Sequence, residues 1–147
     1  MPEIGYIMPE IGYTSSTYML SNDCSAALHP AATHGLALFN AGDYFEAHEA
    51  LESAWRDEPG PIRELYQGIL QTAVTYLHIQ KGNYAGAIKV STRARVKLES
   101  WPDFCRGVDV AALRNDLANV METVIRLGPQ HIDAFDKSLF KPVKYQH

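Results

Sequence analysis

The sequence is poor in the features that mark several function classes. It holds two cysteines in 147 residues, Cys24 and Cys105. They lie far apart in the chain and at no metal or redox spacing, so free thiols in a reducing compartment, and a cytoplasmic location, are expected. No basic run exists and the net charge is -4, which disfavours nucleic-acid binding through a charged face. The longest apolar stretches are broken by Gln, His or Thr, so no membrane span is expected. The start lacks a basic region followed by an apolar block, and a signal peptide is not expected either. There is no Ser-His-Asp ordering, phosphate loop or glycine-rich dinucleotide turn.

What is present is an ordinary globular balance of 46% apolar and 20% charged residues, enough for one domain with a real core. The first residues repeat, MPEIGYI and then MPEIGYT, with no helical or strand period. Residues 1–25 therefore read as a flexible arm, with Met8 and Met19 as alternative starts, and 26–147 as a single helical domain.

Five main helices are expected in that domain. The first runs from Pro30 to Asn40 and turns at Gly42 and Asp43 into the second, Tyr44 to Arg56. Asp43 and Glu46 have the spacing of a capping box. Asp57-Glu58-Pro59-Gly60-Pro61 is a breaker, and Pro61 suits the first turn of a third helix that reaches Lys81. That helix is apolar nearly all round, which places it at the centre. Gly68 within it costs about 1 kcal/mol against Ala and asks for a closely approaching neighbour. Gly82 and Asn83 lead into a fourth helix, Tyr84 to Glu99. A loop over 100–107 follows, then a fifth helix capped by Asp109, Val110 to Leu127, ended by Gly128-Pro129. A short turn near Ile132 to Ser138 and an irregular tail finish the chain. The segment from Gly35 echoes the segment from Thr75, with Gly42 over Gly82 and Tyr44 over Tyr84. The fold class is thus all-α: a compact bundle of two helical hairpins plus a closing helix.

The densest chemistry lies in the second helix. At about 100° per residue, Phe45, His48, Glu49, Glu52, Trp55 and Arg56 share one broad face. On the third helix Gln67, Gln71 and His78 fall within about 40° of each other. Buried polar groups need partners, so these stripes are expected to face each other, with Trp55, Arg56 and Tyr76 around them. Three readings stand for such a cluster. It can be an inert network tying two helices together. It can be a pocket in which Glu49 or Glu52 acts as base, His48 and His78 bind or shuttle protons, and Gln67, Gln71, Trp55, Arg56 and Tyr76 contact a small ligand. It can hold a divalent metal through His48, Glu52 and His78, although the two-His protease motif and a second Glu-x-x-His are both missing. His29, His34, His131 and His147 read as solvated.

FNAGDYFEAHEALESAW, followed by LYQGILQTAVTYLHIQKGNYAGAIK, resembles the prokaryotic and plastid helical family catalogued as domain of unknown function 309. The ending FDKSLFKPV is also similar, although the family's usual Pro is displaced by Lys141 before Pro142. The resemblance covers about His29 to Val143. It rests on Phe39, Asn40, Gly42, Phe45, Glu46, His48, Glu49, Glu52, Trp55, Gln67, Gly68, Gln71, His78, Gly82 and Asn83. It implies an all-helical fold and the label of a metal-dependent hydrolase with no assigned substrate.

Two functions follow as expectations. One is a hydrolase-like or small-ligand site between the second and third helices. The other is a non-enzymatic helical-hairpin scaffold for protein partners, which would show an exposed apolar groove in place of a closed polar pocket. Homodimerisation through an apolar face is compatible with either.

Overall fold

The computed structural model describes residues 23–146. The expected arm lies outside them up to residue 22, while residues 23–25 form a helical turn. Five helices follow: α1 Pro30–Asn40, α2 Tyr44–Asp57, α3 Arg63–Gln80, α4 Tyr84–Glu99 and α5 Val110–Leu127. The all-α expectation holds. Among the described residues no helix is long and apolar enough to cross a membrane.

The two helical hairpins share one turn design. Gly42 has φ 83° and Gly82 has φ 72°, a left-handed backbone that only glycine adopts at no steric cost. In each turn the next residue's amide reaches back five residues, Asp43 N to Leu38 O at 2.9 Å and Asn83 N to His78 O at 2.8 Å. The side chains then differ. Asn83 accepts from Gly86 N at 2.9 Å and caps α4, whereas Asp43 makes no capping bond to α2, so the expected capping box is not formed. Pro61 also falls outside its helix, which begins two residues later at Arg63. His29 departs from the solvated reading. Its Nδ1 accepts from Ala31 N at 3.0 Å and caps α1, and its Nε2 meets Asp57 at 3.3 Å.

α3 is the central element, packed between α2 and α4. Leu65, Tyr66, Ile69, Ala73 and Tyr76 on it are fully buried. Gly68 explains its own cost. A Cβ there would lie 2.9 Å from Leu98 Cδ2 and 3.1 Å from Lys97 Cβ, so its absence lets α4 approach.

The stretch 100–109 is more than a loop. Phe104–Cys105 and Val108–Asp109 pair as an antiparallel hairpin. Its turn is Arg106-Gly107, with φ 51° and 81°, the two positive values that a tight hairpin turn requires. Strands of two residues are too short to show alternation, which is why the sequence reads as a loop. Nor are the cysteines free: Cys24 and Cys105 form a disulfide with Cα atoms 4.2 Å apart. Their separation of 81 residues hides the fold-back of the segment before α1 along the hairpin.

The tail is docked. Asn40 Nδ2 donates to Val143 O at 2.9 Å, and Val143 N donates to Asn40 Oδ1 at 2.7 Å. Phe140 stacks on Tyr76 at 4.5 Å between ring centroids and meets Tyr44 edge-on at 5.6 Å. The tail buries Val143 and leaves Lys141 and Pro142 outside, so the displaced proline falls on the solvent side.

Candidate functional site

The α-helical pitch builds the site. His48, Glu49 and Glu52 sit one and four residues apart on α2, and each offers a ligand atom within 4.8 Å of the others. His48 is partly buried and Glu49 is exposed. Glu52 is 39% exposed at its side chain and pairs with Arg56 at 3.5 Å. Phe45, itself 53% exposed, lies 6.0 Å from the His48 ring. On the α1 side the carboxylates border a depression of about 330 Å³ that also takes in His34, Leu38 and Arg56.

Two of the third-helix residues, His78 and Tyr76, go elsewhere. His78 does not belong to the His48 group. Its Nδ1 lies 3.2 Å from Asn83 Nδ2 and against Gly86, where a Cβ would come within 2.8 Å of it. His78 thus supports the turn into α4. Tyr76 lies in the aromatic core with Phe39 at 5.6 Å and Tyr44 at 5.4 Å. On the wheel it falls about 180° from Gln67, so it cannot border the same stripe. Burial pushes its hydroxyl pKa up, with the charge of Asp116 adding to the effect. Trp55 is covered by the Arg63 guanidinium, 4.2 Å above the ring, and Arg63 Nε donates to the Trp55 carbonyl at 3.4 Å. Gln67 and Gln71 are partly buried on α3. Among the described residues, Gln71 Oε1, Trp55 Nε1 and Tyr76 OH are buried without a hydrogen-bond partner.

The His48 group can do one thing chemically without further partners. One imidazole and two carboxylates form a donor set that suits zinc, manganese or iron, with water completing the coordination. The arrangement is open, and an exposed carboxylate exerts little control over the charge of anything it meets.

A second surface emerges only in three dimensions. α4 and α5 diverge enough to leave an apolar groove of about 350 Å³, lined by Ile88, Leu98, Leu117, Ala118, Met121 and Ile125, among others. Arg95 and Arg114 stand at one end. Ile125 is 59% exposed, although it lies in a helix whose other large apolar residues are mostly buried. An apolar residue one position off the buried stripe of α5 was the sequence signal for this groove.

Residues 32–90 match the family model described as Domain of unknown function (DUF309), as the motifs in α2 and α3 led us to expect. The match takes in most of α1, all of α2 and α3, and the start of α4. The chain is 30% identical over 88 residues to an uncharacterized protein of Aquifex aeolicus (strain VF5), covering 58% of this chain and 26% of that protein. It is 46% identical over 46 residues to the uncharacterized protein YpuF of Bacillus subtilis (strain 168), covering 31% of this chain and 26% of that protein. The chain spans about a quarter of the length of these curated relatives.

Proposed function

We infer that this chain, a carrier of the DUF309 domain, works as a helical-hairpin binding module whose contact surface is the groove between α4 and α5. The groove itself carries the reading: Ile125, 59% exposed, and partly buried Ile88 rise beside a floor that includes buried Leu117 and Met121. Removing apolar surface from water is worth about 25 cal/mol per Å², and a partner that presents the apolar face of a helix has the right shape for a trough between two helices. A closed polar chamber, the mark of a small-molecule enzyme, has less support, since Glu49 is exposed and His78 is engaged at another turn. The test is selection of amphipathic helical peptides against the folded chain. Binders should lose at least tenfold in affinity to Met121→Glu or Ala118→Glu and be indifferent to His48→Ala. Binders that ignore both groove variants would overturn the reading.

A second reading is favoured by the geometry of His48, Glu49 and Glu52, whose ligand atoms lie within 4.8 Å: a divalent-cation site on α2. When bound, the metal would supply a water of lowered pKa, the nucleophile a hydrolase needs. Calorimetric titration with Zn²⁺ and Mn²⁺ tests it. Binding near one ion per chain, abolished by His48→Ala, supports the site, and equal heats for both proteins remove it.

A further inference from the structure

The segment that precedes α1 is held down in two different ways at one place. Covalently, Cys24 is bonded to Cys105 on the first hairpin strand. Through polar contacts, the neighbouring turn residue Arg106 grips the same segment. Its guanidinium donates to the carbonyls of Asp23 and Ala27 and to the Tyr66 hydroxyl at 3.3 Å. Its backbone amide donates to Cys24 O at 2.7 Å. Tyr66 OH in turn accepts from His29 N at 3.0 Å. With its carboxylate neighbours Asp23 and Glu58 at 3.8 and 4.0 Å, the Arg106 side chain is only 10% exposed.

This grip is not a relaxed one. Asp23 Oδ2 is buried and has no hydrogen-bond partner among the described residues. Burial holds the Asp23 carboxyl above the usual range, Arg106 only partly offsets this, and Glu58 adds to it. The polar contacts therefore keep one oxygen of a part-exposed carboxylate out of water, to which it would gain by returning. The covalent bond holds the segment against that tendency. Away from this bond the core is filled by Leu36, Leu51, Ile69 and Leu98, fully buried on α1, α2, α3 and α4. The chain contains no third cysteine, so opening and closing have no alternative pairing to fall into.

We propose that the Cys24–Cys105 disulfide is a redox latch: a dithiol reductant opens it, and residues 23–28 then leave the Arg106–Tyr66 edge while the helical body stays folded. The bonds balance simply. Cys105 is buried and Cys24 is partly exposed, so a thiolate of the reductant attacks Cys24 Sγ and Cys105 departs as a thiolate. The reductant's second thiolate attacks its own sulfur in the mixed disulfide and releases Cys24. Two electrons pass to the protein, the reductant becomes a cyclic disulfide, and both thiolates take up protons from water. Release exposes Cys105, the Arg106 guanidinium and the Tyr66 hydroxyl. This inference is independent of the groove reading.

Amide hydrogen exchange on the full chain, oxidised and then treated with dithiothreitol, tests it. The Arg106 amide reports the bond to Cys24 O, and the His29 amide reports the bond to Tyr66 where the segment joins α1. Both should exchange at least threefold faster after reduction, interior α3 amides should not change, and re-oxidation should restore protection. Cys24→Ser in oxidising solution should behave like the reduced wild type. Smaller changes at Arg106 and His29 overturn the proposal, because the Arg106 grip then suffices alone. Equal acceleration throughout α3 overturns it as well, because the bond is then a staple for the whole fold. So does a Cys24→Ser chain whose two amides stay as slow as in the oxidised protein.

Discussion

Asn40 offers the sharpest test of how the fold is closed. Its carboxamide sits at the end of α1 and answers the backbone of Val143 with one donor and one acceptor, at 2.9 and 2.7 Å. Asn40→Ala removes both bonds. At about 1 kcal/mol net for each, the loss is about 2 kcal/mol. Ala is the better helix former, which returns about 0.5 kcal/mol. The expected net destabilisation is about 1.5 kcal/mol, a fall in melting temperature of roughly 3–6 °C for a chain of this size. Urea unfolding gives the first number and thermal melts the second. Hydrogen exchange at the Val143 amide adds the local reading, since that group loses its acceptor. Asn40→Asp separates the two bonds: it keeps the acceptor for Val143 N but sets a second oxygen against the Val143 carbonyl, so it should be no more stable than Asn40→Ala. A loss below about 0.5 kcal/mol with Val143 still protected would show that the aromatic contacts of Phe140 hold the tail without the clamp.

Three further outcomes follow from buried groups. Tyr76→Phe should be neutral or stabilising by up to about 1 kcal/mol in urea unfolding, because its hydroxyl is buried without a partner among the described residues; a clear loss would mean that the hydroxyl is satisfied after all. Gly68→Ala should cost about 1–3 kcal/mol through overpacking against Leu98 and Lys97, outweighing the gain in helix propensity; a more stable variant refutes that. Burial raises the Asp116 pKa, with Lys144 and Lys141 opposing and Asp109 reinforcing. The folded chain therefore holds this proton more tightly than the unfolded one, and ionisation costs stability as pH rises through the ordinary carboxylate range. Asp116→Asn should accordingly be the more stable protein at pH 7 and lose that advantage in acid, and a wild type that is more stable at neutral pH contradicts the sign.

The helices were legible because their ends are written locally. Gly42, Gly82, Asp109 and Gly128 each act within a few residues, and α1, α4 and α5 keep the limits that the sequence suggests. The His48, Glu49 and Glu52 grouping was legible for the same reason, since it follows from helical pitch alone. The places of His78 and Tyr76 were not. Periodicity tells which residues share a stripe, but not which neighbour the stripe meets. α3 has helices on two sides, and His78 is drawn to the first turn of α4, where Asn83 and the missing Cβ of Gly86 make room for it. The disulfide and the Arg106 contacts join residues about 80 positions apart, and no local pattern records them. Several positions that carry the family resemblance have structural work: Asn40 clamps the tail, Gly42 and Gly82 turn the chain, Gly68 admits α4, and His78 with Asn83 shapes a helix start.

The hairpin turn has a topological consequence. Arg106 N is bonded to Cys24 O, and Gly107 O accepts from Gln146 N at 3.0 Å. The first and last parts of the described fold therefore meet on two adjacent residues. A longer polypeptide threaded through this unit would come in and go out by the same doorway, the geometry that lets a domain be spliced into a host protein without prying its halves apart.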